Sequence, residues 1–251
     1  MSLWIEGVTV RFGGVCALSG VTFATQADHI SSLIGPNGAG KTTLFNVITG
    51  FLRPQQGDVR YENKSIVGLR PYQVAEQGIV RTFQKTSVFP HVTVFENVMI
   101  ALHMQGTAGV LDALRGGRKV REEEERLAHE ARELLELVGL GHRKEDVASS
   151  LPYGEQRLLE VAIALAARPR LLLLDEPAAG LNASERTNLV ALINRVRAHG
   201  IATLLVEHDM RLVMDISDRV IVLDHGQVIA QGAPGEVRSH PEVIRAYLGV
   251  G

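Results

Sequence analysis

Along the chain, short apolar runs give way to helical spacings and then return. Leu3–Phe12 alternates loosely between apolar and polar positions, residues 21–25 are β-rich, and Ile30–Ile34 is an apolar run that stops at Gly35. These three segments read as strands, as do residues 57–61 and 79–83. Residues 41–49 read as a helix ending before Gly50. Residues 71–77 read as a short helix, opened by Pro71 at a position where its missing N–H costs nothing and closed by Gly78. The middle of the chain changes character. Val94–His103 reads as a helix, 105–118 as a loop rich in glycine and short side chains, and 119–138 as a charged amphipathic helix. On that last helix Leu127, Ala131, Leu134 and Val138 recur at helical spacing, while residues 122–126 lie towards water. The final third alternates again. An apolar strand at 170–174 ends in Asp175 and Glu176, a helix at 184–199 carries Leu189, Leu192, Ile193 and Val196 on one side, and a second buried strand covers 201–206. Residues 219–223 and 227–230 form a hairpin about His225 and Gly226. Fully apolar strands alternating with helices predict an α/β fold with a parallel sheet covered on both faces.

Composition narrows the possibilities. The 251 residues carry 26 basic and 28 acidic side chains, a formal charge of −2, so generic polyanion binding is excluded and nucleic acid is not an expected partner. The length allows a sizeable core. The single cysteine, Cys16, excludes an intrachain disulfide framework and a multi-cysteine metal site; it points to a reducing compartment and is expected to be a small buried residue. No apolar run reaches the roughly 18 residues that cross a bilayer. The first eleven residues lack the basic-then-apolar pattern of an export signal. The expectation is a soluble protein, or one held at a membrane by another subunit.

One motif carries chemistry by itself. Gly35-Pro36-Asn37-Gly38-Ala39-Gly40-Lys41-Thr42 fits G-x-x-x-x-G-K-[ST], between an expected strand and an expected helix. Glycines let main-chain N–H groups turn inward without Cβ atoms in the way. The helix start adds positive dipole at the same place. Lys41 would reach the outer phosphates of a nucleotide, and the Thr42 hydroxyl would bind Mg²⁺. Asp175 arrives at the carboxyl edge of the sheet on its own strand, where it would hold the metal through water; Glu176 would take a proton from an attacking water.

Further segments bear a family resemblance. Leu151-Pro152-Tyr153-Gly154-Glu155-Gln156, before an apolar helix, resembles the signature segment of ABC-type ATPases. Gln84 resembles their Q-loop glutamine, Ala179-Gly180-Leu181-Asn182 their D-loop, His208 their switch histidine, and Phe12 the aromatic residue set against adenine, all in family order. Gly78-Ile79-Val80-Arg81-Thr82-Phe83-Gln84, Glu207-His208-Asp209-Met210 and Ile244-Arg245-Ala246-Tyr247-Leu248-Gly249 are similar to the ATP-binding subunits of branched-chain amino acid importers, a style shared with urea and amide importers. The phosphate motif alone also fits lipid-type export. A non-transport ABC ATPase usually carries long coiled coils or two ATPase cores, and this chain has one phosphate loop and no extended heptads.

The resemblance implies a P-loop NTPase core with an N-terminal antiparallel β subdomain and an inserted α-helical subdomain. Residues 1–84 and 168–251 would form the core, and 85–167 the helical part. It implies ATP and Mg²⁺, with Glu176, His208 and Gln84 catalytic, and Thr42, Gln84 and Asp175 toward the metal. Phe12, Gly35, Pro36, Asn37, Gly38, Ala39, Gly40, Lys41, Thr42 and Thr43 would bind nucleotide, as would Tyr153, Gly154 and Glu155 across a head-to-tail pair with a second ATP-binding subunit. Pro152 stands where the family usually has serine and Tyr153 where it has glycine, which predicts a weaker γ-phosphate contact at a working site. The resemblance also implies integral membrane permease subunits, docked on residues 85–92, a periplasmic solute-binding protein acting indirectly, and a cytoplasmic position on the inner face of the membrane.

Overall fold

The computed structural model describes residues 3–82, 88–104 and 118–248. In chain order these form β1 (Leu3–Phe12), β2 (Val15–Ala24), β3 (Ile30–Ile34), α1 (Lys41–Ile48), β4 (Gln56–Tyr61), β5 (Lys64–Ser65), α2 (Pro71–Glu76) and β6 (Ile79–Arg81). There follow α3 (Val94–His103), α4 (Arg118–Val138), α5 (Tyr153–Ala166), β7 (Leu171–Asp175), α6 (Ala183–Ala198), β8 (Ala202–Val206), α7 (Met210–Ile216), β9 (Arg219–Asp224), β10 (Gln227–Gly232), α8 (Pro234–Arg238) and α9 (Pro241–Leu248). The chain divides into two compact units. One comprises Met1–Arg81, Arg170–Gly180 and Arg186–Gly251; the other comprises Thr82–Pro169 and Leu181–Glu185.

The first unit holds two sheets. An antiparallel sheet has the order β2-β1-β4-β5, and a six-stranded sheet has the order β10-β9-β3-β8-β7-β6. In the latter, β9, β3, β8, β7 and β6 run parallel, and β10 returns antiparallel along β9. Its strands alternate between two cores, as period-2 geometry demands. Leu33, Leu204, Val206, Ile221 and Leu223 pack with α1 residues Leu44 and Phe45 and with the antiparallel sheet. Ile34, Val220 and Val222 pack the other way, against Val213, Val237 and Val243. Register then decides where the chemistry lies. Leu33 and Asp175 each sit opposite Val206, so β3, β7 and β8 end together at one edge. The segments that follow them begin at Gly35, Glu176 and Glu207.

Sequence and structure part company in a few places. β2 starts at Val15, not at 21, because Val15 and Cys16 already pair with Phe12 and Arg11 across the Gly13–Gly14 turn. Cys16 is exposed on this edge strand rather than buried, and its thiol donates to Leu18 O at 3.3 Å. The α7 helix is not expected from the sequence pattern, because seven residues are too few to show a period. Asp209 caps it, accepting from the N–H groups of Arg211 and Leu212 at 3.0 and 3.3 Å.

In the second unit α3, α4 and α5 pack on one another. The buried stripe of α4 is Leu127, Ala131, Leu135 and Val138; Leu135 takes the central place expected for Leu134, which is half-buried. Val94, Val98 and Leu102 of α3 and Leu159 and Ala162 of α5 are buried with it. Thr93 starts α3 with a reciprocal cap: its hydroxyl accepts from the Glu96 N–H at 3.1 Å, and the Glu96 carboxylate accepts from the Thr93 N–H at 2.7 Å. The loop expected at 105–118 lies outside the described residues up to 117, and Arg118 already belongs to α4.

Candidate functional site

The turn between β3 and α1 can be built only from its glycines. A Cβ on Gly35 would stand 2.0 Å from Leu223 O, and one on Gly40 would stand 2.6 Å from Ala17 O with φ at +105°. Gly40 is also the residue before the first turn of α1, so the helix N–H groups open directly into the loop. Lys41 is almost buried. Its Nζ curls back over the loop and donates to Gly35 O at 2.8 Å and Pro36 O at 2.9 Å. Burial lowers the Lys41 pKa, and the Glu176 and Asp175 carboxylates partly restore it. A cavity of about 210 Å³ lies against residues 37–43, Ala17, Glu176 and His208. A larger open cleft of about 950 Å³ borders the other side of the loop along the β9–β10 turn and α9. It includes neither Lys41 nor the Glu176–His208 pair, which both line the smaller cavity.

Glu176 and His208 meet although 32 positions separate them. His208 Nε2 and Glu176 Oε1 are 2.8 Å apart, and both side chains are partly exposed. Glu176 has φ at +48°, a conformation unusual for a side chain with a Cβ and one often found at functional sites. Its N–H donates to Val206 O at 2.9 Å, which pins it to the end of β8. Asp175, one residue earlier, is the opposite case. Its side chain is 1% exposed, and Oδ2 accepts from Arg81 Nη2 at 2.5 Å.

Two residues with no role read for them in the sequence support this edge. Arg81 is one. The other is Glu207, buried, whose Oε1 accepts from the Ala178 N–H at 2.7 Å and whose Oε2 accepts from the His208 N–H at 3.0 Å. Burial raises the Glu207 pKa, while main-chain N–H groups of Ala178, His208 and Asp209 act in the other direction. A charged residue immediately after an apolar strand was the one signal available for it, and that pattern by itself marks only a strand end. Phe12 ends β1 and is 52% exposed, on the hairpin whose Ala17 lines the cavity. Thr42 is exposed and Thr43 half-buried in the first turn of α1.

The second unit carries the Leu151–Gln156 segment. Pro152 is the N-cap of α5 and offers no side-chain hydrogen bond. Tyr153, Gly154 and Glu155 form the first turn. The Tyr153 hydroxyl oxygen accepts from Arg157 Nε at 3.0 Å and Nη2 at 2.6 Å, and Glu155 Oε2 lies 3.3 Å from Arg143 Nε. A Cβ on Gly154 would stand 2.6 Å from the Glu185 carboxylate, so the position admits only glycine unless Glu185 moves. Gln84 lies outside the described residues, as do positions 85–87 of the expected docking segment. Within 88–92 and its surroundings, Phe89 is exposed and its main chain is held by Asn97 on both sides, at 2.8 and 3.0 Å.

For Mg²⁺ the donor chemistry fits. Thr42 and Asp175 offer hard oxygens at the start of α1 and the end of β7, and among the described residues no group of three or more His, Cys, Asp or Glu forms a closed metal cage. An ion that keeps water and phosphate oxygens around it needs no such cage.

Comparison with known proteins points to one family. The family model for ABC transporters matches residues 18–179, and that for the branched-chain amino acid ATP-binding cassette transporter matches residues 227–251. The chain is 44% identical over 248 residues to the high-affinity branched-chain amino acid transport ATP-binding protein BraF of Pseudomonas aeruginosa, covering 98% of this chain and 97% of that one. It is equally similar, over the same shares, to the protein LivG of Escherichia coli that bears the same description. A crystal structure of an ATP-binding cassette of an ABC transporter in its ADP conformation superposes with a TM-score of 0.86 at 34% identity, covering 99% of both chains. A glycine loop opening onto the start of α1, a carboxylate–histidine pair beside it and these likenesses over nearly the whole chain lead to one conclusion: the chain belongs to the ABC transporter family, as one of its ATP-hydrolysing, ATP-binding cassettes.

Proposed function

We propose that the chain energises import of branched-chain amino acids through separate membrane permease subunits, paired with a second ATP-binding subunit, with a periplasmic solute-binding protein acting indirectly. The observation that carries the reading is the single small cavity on which the glycine loop, Lys41, Glu176 and His208 converge. ATP lies with its phosphates against the N–H groups of residues 38–42, and Lys41 exchanges its bonds to the Gly35 and Pro36 carbonyls for outer phosphate oxygens. Phe12 stacks on adenine. Thr42, Asp175 and Gln84 would hold Mg²⁺, which would neutralise charge on the phosphates. Glu176 accepts the proton of a water whose oxygen attacks the γ-phosphorus; the bond to the β,γ-bridging oxygen breaks, and ADP and phosphate leave. His208 holds the Glu176 carboxylate in place through its 2.8 Å contact. Tyr153, Gly154 and Glu155 serve the nucleotide of the second subunit, so closure of the pair depends on ATP and opening follows hydrolysis. Residues 1–84 and 168–251 act as the nucleotide-binding core and 85–167 as the helical subdomain.

The similarity over nearly the whole chain to transporter ATP-binding proteins supports a peripheral place on the cytoplasmic face beside the permease. Among the described residues no helix is long and apolar enough to cross a membrane. The test is reconstitution of the chain with branched-chain amino acid permease subunits and their binding protein in proteoliposomes. ATP-dependent uptake of labelled leucine is expected. Uptake of urea or an amide instead, or lipid movement alone, overturns the substrate while leaving the ATPase in place.

A further inference from the structure

Arg81, the last residue of β6, is turned inward. Parallel register sets it opposite Leu173, so its long side chain reaches one pleat further along β7 to Asp175, which lies on the same face as Leu173. The guanidinium divides its donors. Nη2 donates to Asp175 Oδ2 at 2.5 Å and Nη1 donates to Asn46 Oδ1 at 2.7 Å, while the carbon at its centre stands 5.4 Å from the centroid of the Phe45 ring. The Arg81 and Asp175 side chains are 10% and 1% exposed. Phe45 and Asn46 belong to α1, the helix that opens with Lys41 and Thr42. One buried cation therefore joins the strand that ends in Asp175 to the helix that carries Thr42. Among the described residues the side-chain hydrogen bond of Asp175 runs through Oδ2, and Oδ1 is not engaged by any of them.

We propose that Arg81 is a positioning residue for the metal site: it locks Asp175 Oδ2 and the α1 helix into one arrangement and so presents Oδ1, together with Thr42, to Mg²⁺ and its water. The inference rests on the proposed role of Asp175 at the metal. Arginine suits the task because its planar fork can satisfy two acceptors on different elements at once, which an ammonium group does less rigidly. Two effects of opposite sign compete. A cation that merely sits nearby repels the metal, and its removal tightens metal binding. A cation that orients the carboxylate helps the metal, and its removal loosens binding. The buried, doubly tethered geometry favours the second, since a carboxylate acting through water depends on its direction.

The experiment uses the full chain with Arg81→Met, Arg81→Lys and Asn46→Ala. It measures the Mg²⁺ concentration for half-maximal ATPase activity, Mn²⁺ binding in the presence of ATP by electron paramagnetic resonance, and ATP affinity in EDTA by calorimetry. Arg81→Met is expected to raise the Mg²⁺ and Mn²⁺ requirement about tenfold, the scale seen when outer-shell partners of metal ligands are removed. Metal-free ATP affinity is expected to stay within about twofold, because Arg81 is not among the phosphate-loop groups. Arg81→Lys and Asn46→Ala, which each keep a positive charge beside Asp175, are expected to fall in between. A metal requirement that is unchanged or lower in Arg81→Met overturns the proposal. If that variant does not fold, an unchanged requirement in both of the milder variants overturns it equally. Wild-type protein that binds ATP no better with Mg²⁺ than without it refutes the assigned role of Asp175 instead, so the two failures are distinct.

Discussion

Replacing Glu176 by glutamine removes a proton acceptor and little else. The amide can keep the 2.8 Å contact with His208 and the main-chain N–H bond to Val206 O at 2.9 Å. Both side chains of the pair are more than a third exposed. At that exposure any change in the strength of this contact is worth no more than about 1 kcal/mol of stability. General-base catalysis contributes roughly 10²- to 10⁴-fold. At about 1.4 kcal/mol per factor of ten, that is about 3–5 kcal/mol of transition-state stabilisation. The consequence is a split between readouts. Phosphate release from Mg·ATP is expected to fall at least about 100-fold. ATP affinity by calorimetry is expected to be unchanged, and the melting temperature to move by no more than a few degrees. If, as proposed, the pair closes with ATP and reopens on hydrolysis, the variant accumulates as a dimer on size exclusion with ATP. A variant that retains more than a tenth of the wild-type rate with intact binding removes Glu176 as the base.

Lys41→Ala deletes a cation whose hydrogen bonds among the described residues go to main-chain carbonyls, at 2.8 and 2.9 Å. Charge-assisted hydrogen bonds are worth about 1.5–3 kcal/mol, so ATP affinity by calorimetry should drop at least about tenfold; equal affinity counts against the phosphate-loop reading. Tyr61 is buried, and burial raises its pKa to about 12, so it stays protonated in the folded protein between pH 10 and 12 while the unfolded chain ionises. The sign follows directly: this contribution is present below pH 10 and lost as pH rises through 12, a span worth about 3 kcal/mol. Alkaline difference spectroscopy should show late tyrosine ionisation near pH 12 from Tyr61 and from Tyr247, whose pKa is likewise raised to about 12, and Tyr61→Phe should remove one of these two contributions. Thr93→Ala breaks the reciprocal cap of α3 and is expected to cost about 1 kcal/mol in urea denaturation; no change would mean the cap is idle.

Some of this protein could be read directly from the order of its residues. The phosphate loop is eight consecutive residues whose glycines and lysine state the backbone path and the charge together. Ile30–Ile34 and Val94–His103 appear with the bounds expected of them, because an apolar run and a capped helical spacing are local patterns. Period alone cannot choose between adjacent leucines. The stripe of α4 centres on Leu135 rather than Leu134, since the helices packed against it select which neighbour is inside. Nor can composition place Cys16, which is exposed because β2 lies at the edge of its sheet.

What the tertiary structure decided is which distant groups meet. Arg81 and Asp175 are 94 positions apart and Glu176 and His208 are 32 apart; each pair exists because parallel strands align their carboxyl ends in one register. Hydrophobic pattern marks a strand and a face, but it carries no information about which strand lies next to which. The local chain therefore determined the phosphate cradle, and only the stacking order β3-β8-β7-β6 determined the carboxylates, the histidine and the arginine gathered around it.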